Sequence, residues 1–479
     1  MQTKDCILYR GLEGLPGGTV VGQIEQLAGS LPLLTDARAE ELSGARSAFF
    51  GAVGALLELS AACGFSGNLW QAALTFILAS HENAFSTASE IGGTAGEGLR
   101  RAALHDMHAF RSLFHLDLTA VGEALSTGQH RLLLDFEAGG DTRCRLGKTI
   151  RGRLRSLAGQ LAGSKSEEEF LAAVEAFYRE YGVGRFGLHK AFRIGHLTEN
   201  GEGRGAAPAG SGSGHFGDRR SSEDFAGGHL PEASFGMRNM PGALSGARIV
   251  PVPNVRQVTF DDLVGYESAK KQLIDNTEAF VEKRAANNCL LYGEAGTGKS
   301  SSIKALLDRF FGRGLRIIEI TRYDFRELHG ILDEIKNRNY RFILYMDDLS
   351  FEESETEYKF LKAVIEGGLE KKPENVLLYA TSNRRHLIRE NYRDKEDHYQ
   401  DMHTSDTVQE KLSLSARFGL QIYFGSPDKR QYEEIVLTLA RRSGIDLPEE
   451  ELLRRANAWE LKHGGYSGRA AQQFIDDLL

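Results

Sequence analysis

A glycine-rich octapeptide, GEAGTGKS at residues 293–300, constrains the fold of this chain more than any other feature. It fits the pattern GxxxxGK[ST] and lies between a predicted strand, NNCLLYG, and a predicted helix, SSSIKALLDRFF. Glycines there let backbone N–H groups turn inward around phosphate groups, and the following helix presents its positive end to them. The pattern predicts a phosphate-binding loop made of Gly293, Glu294, Ala295, Gly296, Thr297, Gly298, Lys299, Ser300 and Ser301.

A second apolar strand, RFILYMDD, ends on two carboxylates about fifty residues after the loop. Lys299 is expected to contact the β and γ phosphates of a nucleotide, and the Ser300 hydroxyl to ligate magnesium. Asp347 is placed to hold the same ion through its water shell, and Asp348 to act as the base or to position water. Without the loop, a pair of solvated acids at a strand end would be the better interpretation; with it, the sequence favours a Mg²⁺-ATP site.

Strands and helices alternate after residue 249, which predicts a mostly parallel sheet covered on both faces. The predicted fold class is therefore an α/β P-loop core over residues 249–428. Helical periodicity returns in QYEEIVLTLARRSG and GRAAQQFIDDLL, so residues 429–479 are expected to form a small helical lid.

The first 194 residues carry helical periodicity, as in SEEEFLAAVEAFYREYG, and predict a mainly α-helical domain. RLLLDF could be a short strand. Gly, Ser, Ala and charged residues dominate residues 195–248, a composition typical of a flexible linker. At 479 residues, the chain is long enough for two or three such units.

The net charge and the cysteine content argue against several classes of protein. A formal net charge of -8 favours neither a protein that coats nucleic acid nor a disordered acidic one. The four cysteines are far apart and form no CxxC pair, which disfavours a zinc site or a disulfide framework. The N-terminus has no secretory pattern, and the most apolar stretch, residues 49–64, falls short of a membrane span and is interpreted as a buried helix. We expect a cytoplasmic protein without membrane insertion.

GEAGTGKS, FILYMDD, LLYATSN and LSLSARFG, in this order and spacing, resemble the AAA+ ATPases. Residues 251–479 are more closely similar to a bacterial family of predicted AAA+ ATPases of unknown function, through runs such as NTEAF, DDLSFE, ATSNRRHL and SGRAAQQF. The resemblance implies that Asn383 is the sensor 1 residue that orients the attacking water. It implies that Arg417 is an arginine finger acting on a neighbouring subunit, and that Arg469 is the lid's sensor 2 residue near the γ phosphate. For each of the three, a structural or surface role is the alternative.

Two further expectations depend on the resemblance. TFDDLVGYE lies where AAA+ proteins place the segment along the adenine, so Val264 and Gly265 could offer backbone contacts to the base; an ordinary helix-entry turn is equally compatible. Most active AAA+ enzymes have Asp-Glu where this chain has Asp347-Asp348. The shorter carboxylate predicts slow hydrolysis, with Glu352 as a substitute if the loop folds back.

Basic residues cluster in RCRLGKTIRGRLR, residues 143–155, and in GRFGLHKAFRIGH. Such clusters can bind phosphate backbones, although a solvated or salt-bridged helix face is the better interpretation. The region after the second core strand, ITRYDFRELHG, lacks the aromatic-apolar-glycine tripeptide of threading unfoldases, and Tyr323 is expected to pack.

Two functional hypotheses follow. The first is a homo-oligomeric Mg²⁺-dependent ATPase that remodels an unknown protein or nucleic-acid client through its helical domain. The second is a nucleotide-gated binding module or loader in which hydrolysis is slow or depends on a partner. The acid pair favours the second hypothesis, and the sensors and arginine finger favour the first. Direct action on nucleic acid is a third possibility that rests only on the basic segments.

Overall fold

The structure is a computed structural model. It describes residues 2–34, 39–128, 131–137, 144, 146–196, 247–253, 255, 257–351, 357–366, 372–385, 387, 414–463 and 465–479. The predicted flexible linker lies outside these residues between positions 197 and 246, as does Glu352.

The N-terminal part is helical, as the sequence predicts. Its described helices are α1 Gly18–Leu34, α2 Ala39–Cys63, α3 Leu69–Ser80, α4 Ala84–Ser89, α5 Glu97–Phe114, α6 Leu118–Ala124, α7 Arg131–Leu134, α8 Lys148–Gly163, α9 Glu167–Tyr181 and α10 Gly184–Leu188.

Helix α9 illustrates why these segments fold as they do. The Ser166 side chain accepts a hydrogen bond from the Glu169 N–H (3.2 Å) and so caps the first turn, which carries three glutamates that favour the positive helix end. Apolar residues three and four apart then form one buried face, made of Phe170, Leu171, Val174, Phe177 and Tyr178.

Two local predictions in this domain need correction. RLLLDF is not a strand: residues 131–134 form α7, and Phe136 makes only an isolated bridge with Gly67. A short apolar run fits a helix turn as well as a strand, and here Leu133 is buried in the helical core. The apolar stretch near residue 49 belongs to a helix of 25 residues, longer than expected. By length and composition alone its residues 41–63 could cross a membrane, and the 18-residue window is 33% buried, with Phe49 and Leu56 in the core.

The second part is built on a seven-stranded sheet in the order β2-β1-β4-β5-β6-β3-β7. All neighbours are parallel except β1 and β2, which confirms the α/β class. The strands are β1 Ala191–His196, β2 Ala247–Pro251, β3 Cys289–Gly293, β4 Leu315–Glu319, β5 Arg341–Met346, β6 Val376–Ser382 and β7 Leu420–Phe424. The helices that cover the sheet are α11 Glu267–Val281, α12 Lys299–Phe310, α13 Leu328–Ile335 and α14 Tyr358–Glu366.

Alternation along the central strand builds a core on each face of the sheet. In β5, Phe342 and Leu344 enter one buried cluster, while Ile343 and Tyr345 enter the other. Burial on both faces explains why this strand reads as a continuous apolar run. The run ends at Met346, so the next two residues, both aspartates, emerge at the carboxyl edge of the sheet.

Strand β1 joins the helical part to the sheet, because it follows α10 directly and pairs in parallel with β4. Its last residue, His196, is the Cα partner of Ala247 at the start of β2. The predicted divisions after residues 194 and 248 therefore fall within two paired strands.

Buried charges fasten the helical part to the amino end of β5. The Arg338 guanidinium, in the turn before this strand, donates to both carboxylate oxygens of Glu90 (2.7 and 2.8 Å) and to Glu82 (2.7 Å). The Glu90 side chain has no exposed surface. Nearby, the Val183 N–H donates to the Tyr340 hydroxyl (3.0 Å), and the fully buried Tyr340 ring is part of the sheet's core. This junction lies at the end of the sheet opposite the aspartates.

Residues 429–479 form the predicted helical lid, with α15 Lys429–Arg442, α16 Glu449–His463 and α17 Gly468–Leu478. The lid has its own apolar core, made of Tyr432, Ile435, Val436, Ala440, Leu452, Ala456, Ala470, Ala471, Phe474 and Ile475.

We predict that Arg338→Met lowers the free energy of unfolding by about 3–5 kcal/mol, because it leaves two buried carboxylates without their counter-ion. Arg313→Met is the matched control: Arg313 also pairs with two glutamates, Glu278 and Glu282, but at the surface. Urea unfolding followed by circular dichroism measures both. Equal shifts in the two variants would contradict the interpretation that burial makes the difference.

Candidate functional site

The phosphate loop runs from the end of β3 to the start of α12, as predicted. Gly293, Gly296 and Gly298 all have positive φ angles (131°, 76° and 91°), a backbone conformation that residues other than glycine rarely adopt. A Cβ atom at Gly293 would lie 2.1 Å from the Phe424 carbonyl oxygen, so the loop is also packed tightly against β7. The Thr297 hydroxyl donates to the Glu294 carbonyl (2.8 Å) and closes the turn.

Lys299 is the first residue of α12, and its side chain returns into the loop. Its Nζ donates to the carbonyl oxygens of Gly293 (2.9 Å) and Glu294 (2.6 Å). Burial lowers the pKa of this ammonium, while the nearby carboxylates of Asp348, Glu294 and Asp347 act in the opposite direction. A cation held inside a loop of glycines is suited to phosphate oxygens.

Ser300 and Asp347 meet at the mouth of this loop. The Ser300 hydroxyl donates to Oδ1 of Asp347 (2.6 Å), although the two residues are 47 positions apart. Partial burial raises the pKa of Asp347, but the hydrogen bonds from Ser300 and Thr381 outweigh it, so the pKa lies below its usual value. One hydroxyl and one ionised carboxylate in contact are a donor set that fits Mg²⁺, which keeps several waters and needs few protein ligands.

Asp348 has an unusual backbone, with a φ angle of 49°. Its carboxylate oxygen accepts a hydrogen bond from Nδ2 of Asn383 (2.9 Å), the residue that follows β6. The two side chains that the sequence assigns to water positioning are therefore in direct contact at the sheet edge.

The lid closes over the loop from the other side. The Arg469 N–H, at the start of α17, donates to the Gly296 carbonyl (3.2 Å), and a Cβ atom at Gly296 would lie 3.0 Å from the Arg469 Cβ. The side chain of Arg469 is exposed. The positive charge of Arg469 contributes to lowering the pKa of Lys299, so the two cations are close enough to repel each other.

Val264 and Gly265 lie between the loop and the lid. Val264 is partly buried against the lid core, and the preceding Leu263 would be 3.4 Å from a Cβ atom at Gly298. Gly265 has a φ angle of 80°. Contacts from this segment to a base stay a prediction.

Arg417 lies in the turn before β7, where its N–H donates to the Leu414 carbonyl (3.3 Å). Its side chain is partly buried. Action on a neighbouring subunit also stays a prediction.

Thr381 and Tyr345 are site residues that the sequence analysis missed. The Thr381 hydroxyl donates to Oδ1 of Asp347 (2.6 Å), and the buried side chain of Tyr345 is close enough to the same carboxylate to feel its charge. Burial and the charge of Asp347 raise the pKa of Tyr345 far above its usual value, so its phenol is neutral. Their positions in the sequence were the available signal: Tyr345 lies two residues before Asp347, and Thr381 lies two residues before Asn383.

Other residues singled out by the sequence are placed differently. The prediction that Tyr323 packs is wrong: its ring is 73% exposed, whereas the neighbouring Phe325 is fully buried. In the basic segments, Arg153 stacks on Tyr181 (4.3 Å) and Phe311 (5.1 Å) at the junction between the helical part and the core. This part of the basic segment therefore serves packing; positions 143 and 145 lie outside the described residues.

A family model described as "Protein of unknown function (DUF815)" matches residues 239–479, half of the chain. The chain belongs to this family. The phosphate loop after β3, the acid pair after β5 at the same edge of the sheet and the helical lid place its core in the AAA+ P-loop ATPase superfamily, as the sequence resemblance implies.

Two curated relatives match short stretches. The replication factor C large subunit of Staphylothermus marinus is 36% identical over 85 residues, which are 18% of this chain and 19% of that protein. Replication factor C subunit 3 of Schizosaccharomyces pombe is 30% identical over 88 residues, 18% of this chain and 25% of that protein. The chain thus spans a quarter or less of the length of these relatives.

Two solved structures show only weak structural similarity to this protein. The Thermotoga maritima RuvB Holliday junction branch migration motor is 14% identical, with 47% of this chain and 72% of that chain covered and a TM-score of 0.29. The AAA domain of FIGL-1 in complex with ADP is 18% identical, with 46% and 72% covered and a TM-score of 0.32. Overlaps of this size carry no argument about mechanism or partners.

We predict that Gly296→Ala weakens adenine-nucleotide binding about tenfold, because a side chain at this positive φ angle strains the loop and meets the lid. Gly312→Ala is the control, since a Cβ atom there meets open space. Titration with a fluorescent ADP analogue measures both variants. Wild-type affinity in Gly296→Ala would contradict this account of the loop.

Proposed function

We propose that the protein is a Mg²⁺-dependent ATPase that assembles into a homo-oligomer. The observation that carries this proposal is the 2.6 Å contact between Ser300 and Asp347 beside the ammonium of Lys299. A hydroxyl, a carboxylate and a cation at the mouth of a glycine loop are the groups that phosphoryl transfer from a magnesium nucleotide requires.

Each residue then has a role in this reaction. Loop N–H groups and Lys299 bind the phosphates, while Ser300 and Asp347 hold Mg²⁺, which neutralises charge on the phosphate oxygens. Asp348 accepts a proton from, or orients, the attacking water, and Asn383 fixes this carboxylate. The backbone of Val264 and Gly265 contacts the base.

Two arginines complete the proposed site. Arg469 brings the charge of the lid to the γ phosphate, and its backbone contact with Gly296 supports that position. Arg417 stabilises transition-state charge in the site of a neighbouring subunit. Because that arrangement needs a head-to-tail contact between copies, ring-like assembly is part of the proposal.

We further propose four segments with distinct roles: a helical domain over residues 1–194, a linker over 195–248, the ATPase core over 249–428 and the lid over 429–479. The cycle acts on a protein or nucleic-acid client through the helical domain, in the cytoplasm and without membrane insertion. The buried ion pairs of Arg338 with Glu82 and Glu90 support this coupling. Because they link the core rigidly to the helical domain, a movement of the core would also move that domain.

A nucleotide-gated binding module is the second candidate, and the geometry of Asp348 favours it. This carboxylate is one methylene shorter than glutamate and is engaged by Asn383. Both features favour slow turnover, in which ATP binding controls assembly and hydrolysis resets it.

We predict that Lys299→Ala lowers ATP affinity by about tenfold to a hundredfold, because it removes a charge-assisted contact to phosphate. Arg417→Ala should leave binding intact and lower turnover by about a thousandfold. Arg309→Ala, on the same helix as Lys299, is the control that leaves both unchanged. Steady-state hydrolysis across protein concentrations should rise cooperatively for the wild type.

Mixing the two inactive variants tests the shared site directly. An equimolar mixture should regain about a quarter of wild-type turnover, because some Arg417→Ala sites then receive an intact arginine from a Lys299→Ala neighbour. No recovery on mixing, with oligomers present, would place Arg417 outside the neighbouring site.

We predict that the wild type hydrolyses ATP more slowly than about one per second, and that Asp348→Asn lowers this rate about a hundredfold without weakening ATP binding. Glu357→Gln, outside the acid pair, serves as the control. Fast wild-type turnover that survives Asp348→Asn would remove Asp348 from the mechanism.

A further inference from the structure

Thr381 forms the contacts between the two strands beyond the point where the regular pairing of β5 with β6 ends. The last paired residues are Met346 and Ala380. Beyond them, the Thr381 hydroxyl donates to Asp347 Oδ1 (2.6 Å) and accepts from the Asp348 N–H (2.9 Å), and the Thr381 carbonyl accepts from the Leu349 N–H (2.7 Å). One residue of β6 therefore holds three successive residues after β5.

The chemistry of these groups fixes the direction of each bond. A backbone N–H can only donate, so the Thr381 oxygen must accept from Asp348. Its single proton is then directed at Asp347, which accepts as an ionised carboxylate. Thr381 is only 2% exposed, so water cannot easily replace its hydroxyl if that group is removed.

Thr381 also holds the backbone of Asp348, through its hydroxyl and its carbonyl. A non-glycine residue at a φ angle of 49° is strained and persists only where its surroundings hold it. The N–H groups of Asp348 and Leu349, on either side of that residue, donate to the hydroxyl and to the carbonyl of Thr381 respectively. In this conformation the Asp348 carboxylate reaches Asn383 at 2.9 Å.

We infer that Thr381 is a positioning residue that sets both acids of the site at once, Asp347 for the metal ion and Asp348 for the water. This inference rests on the proposed function of the site, and deepens it. A valine at this position keeps the shape but leaves the Asp348 N–H without its acceptor and Asp347 without one donor. The Asp347 carboxylate is then no longer held in one orientation, and the gain in nucleotide affinity that Mg²⁺ provides becomes smaller.

The test compares Thr381→Val, Thr381→Ser and the wild type, as full-length chains, in titrations with a fluorescent ADP analogue. The measured quantity is the ratio of Kd in EDTA to Kd in Mg²⁺. We expect Thr381→Val to bind as the wild type does in EDTA and to lose about tenfold of the magnesium-dependent gain, with a parallel loss of ATP turnover. Thr381→Ser restores the hydroxyl and brings the ratio back to within about threefold of the wild type.

Thr277→Val is the matched control. Thr277, on α11, is also fully buried, and its hydroxyl bonds with the hydroxyl of Tyr379 on β6 (2.9 Å) instead of with either acid. This variant should keep the wild-type ratio, because it loses a buried hydroxyl without touching the acid pair. If Thr381→Val does not fold, as judged by circular dichroism, Thr381→Ala takes its place with the same expected ratio.

The outcomes separate the two proposals. A wild type whose binding shows no magnesium-dependent gain overturns the proposed function and this inference together. A wild-type gain that persists in Thr381→Val overturns the inference alone. So does an equal loss in Thr381→Val and Thr381→Ser, or a loss of binding in EDTA that matches the loss in Mg²⁺, since either would indicate a merely structural role.

Discussion

Parallel pairing of β3, β5 and β6 is the constraint on which the site depends. Parallel strands end at the same edge, so the loop after β3, the aspartates after β5 and the asparagine after β6 are brought together although about ninety residues separate the first from the last. The strands themselves are held by apolar burial on both faces. Chemistry at the edge is thus positioned by a core that takes no part in it, and the 2.6 Å contact between Ser300 and Asp347 is the direct result.

The opposite end of β5 is committed to the helical domain. Arg338 neutralises Glu82 and Glu90 within the interface. Breaking such a buried pair costs free energy, because the remaining carboxylates would be buried without water and without a counter-ion. The lid, in contrast, meets the loop at Gly296 through a backbone hydrogen bond, and it meets the segment before α11 through the partly buried Val264 and through surface ion pairs such as Arg442 with Asp262 (3.6 Å). In the proposed ATPase, nucleotide-dependent movement would therefore occur at the lid, and the helical domain would move with the core.

The sequence predicted the features that depend on contiguous residues. The loop, the strand that precedes Asp347 and the lid helices each have a local sequence pattern, and each is confirmed as a structural element. Features set by pairing between distant segments were not predictable in this way: Thr381 reaches Asp347 only through the register of two strands, and Arg338 meets Glu90 across 248 positions. Tyr323 was misjudged because a short turn contains two neighbouring aromatics, and periodicity does not indicate which one is buried.

The acid pair shows how a departure from a familiar pattern is accommodated. Aspartate at position 348 reaches about 1.5 Å less far than glutamate, the length of one carbon–carbon bond. Here the backbone supplies the direction that the side chain lacks, since the left-handed φ angle turns the carboxylate toward Asn383. In the proposed ATPase, this arrangement would have a kinetic consequence: a carboxylate held by strain and by an amide would have to exchange part of this contact for water before each turnover. The slow hydrolysis that we propose would then depend on the geometry of the site as well as on the length of the side chain.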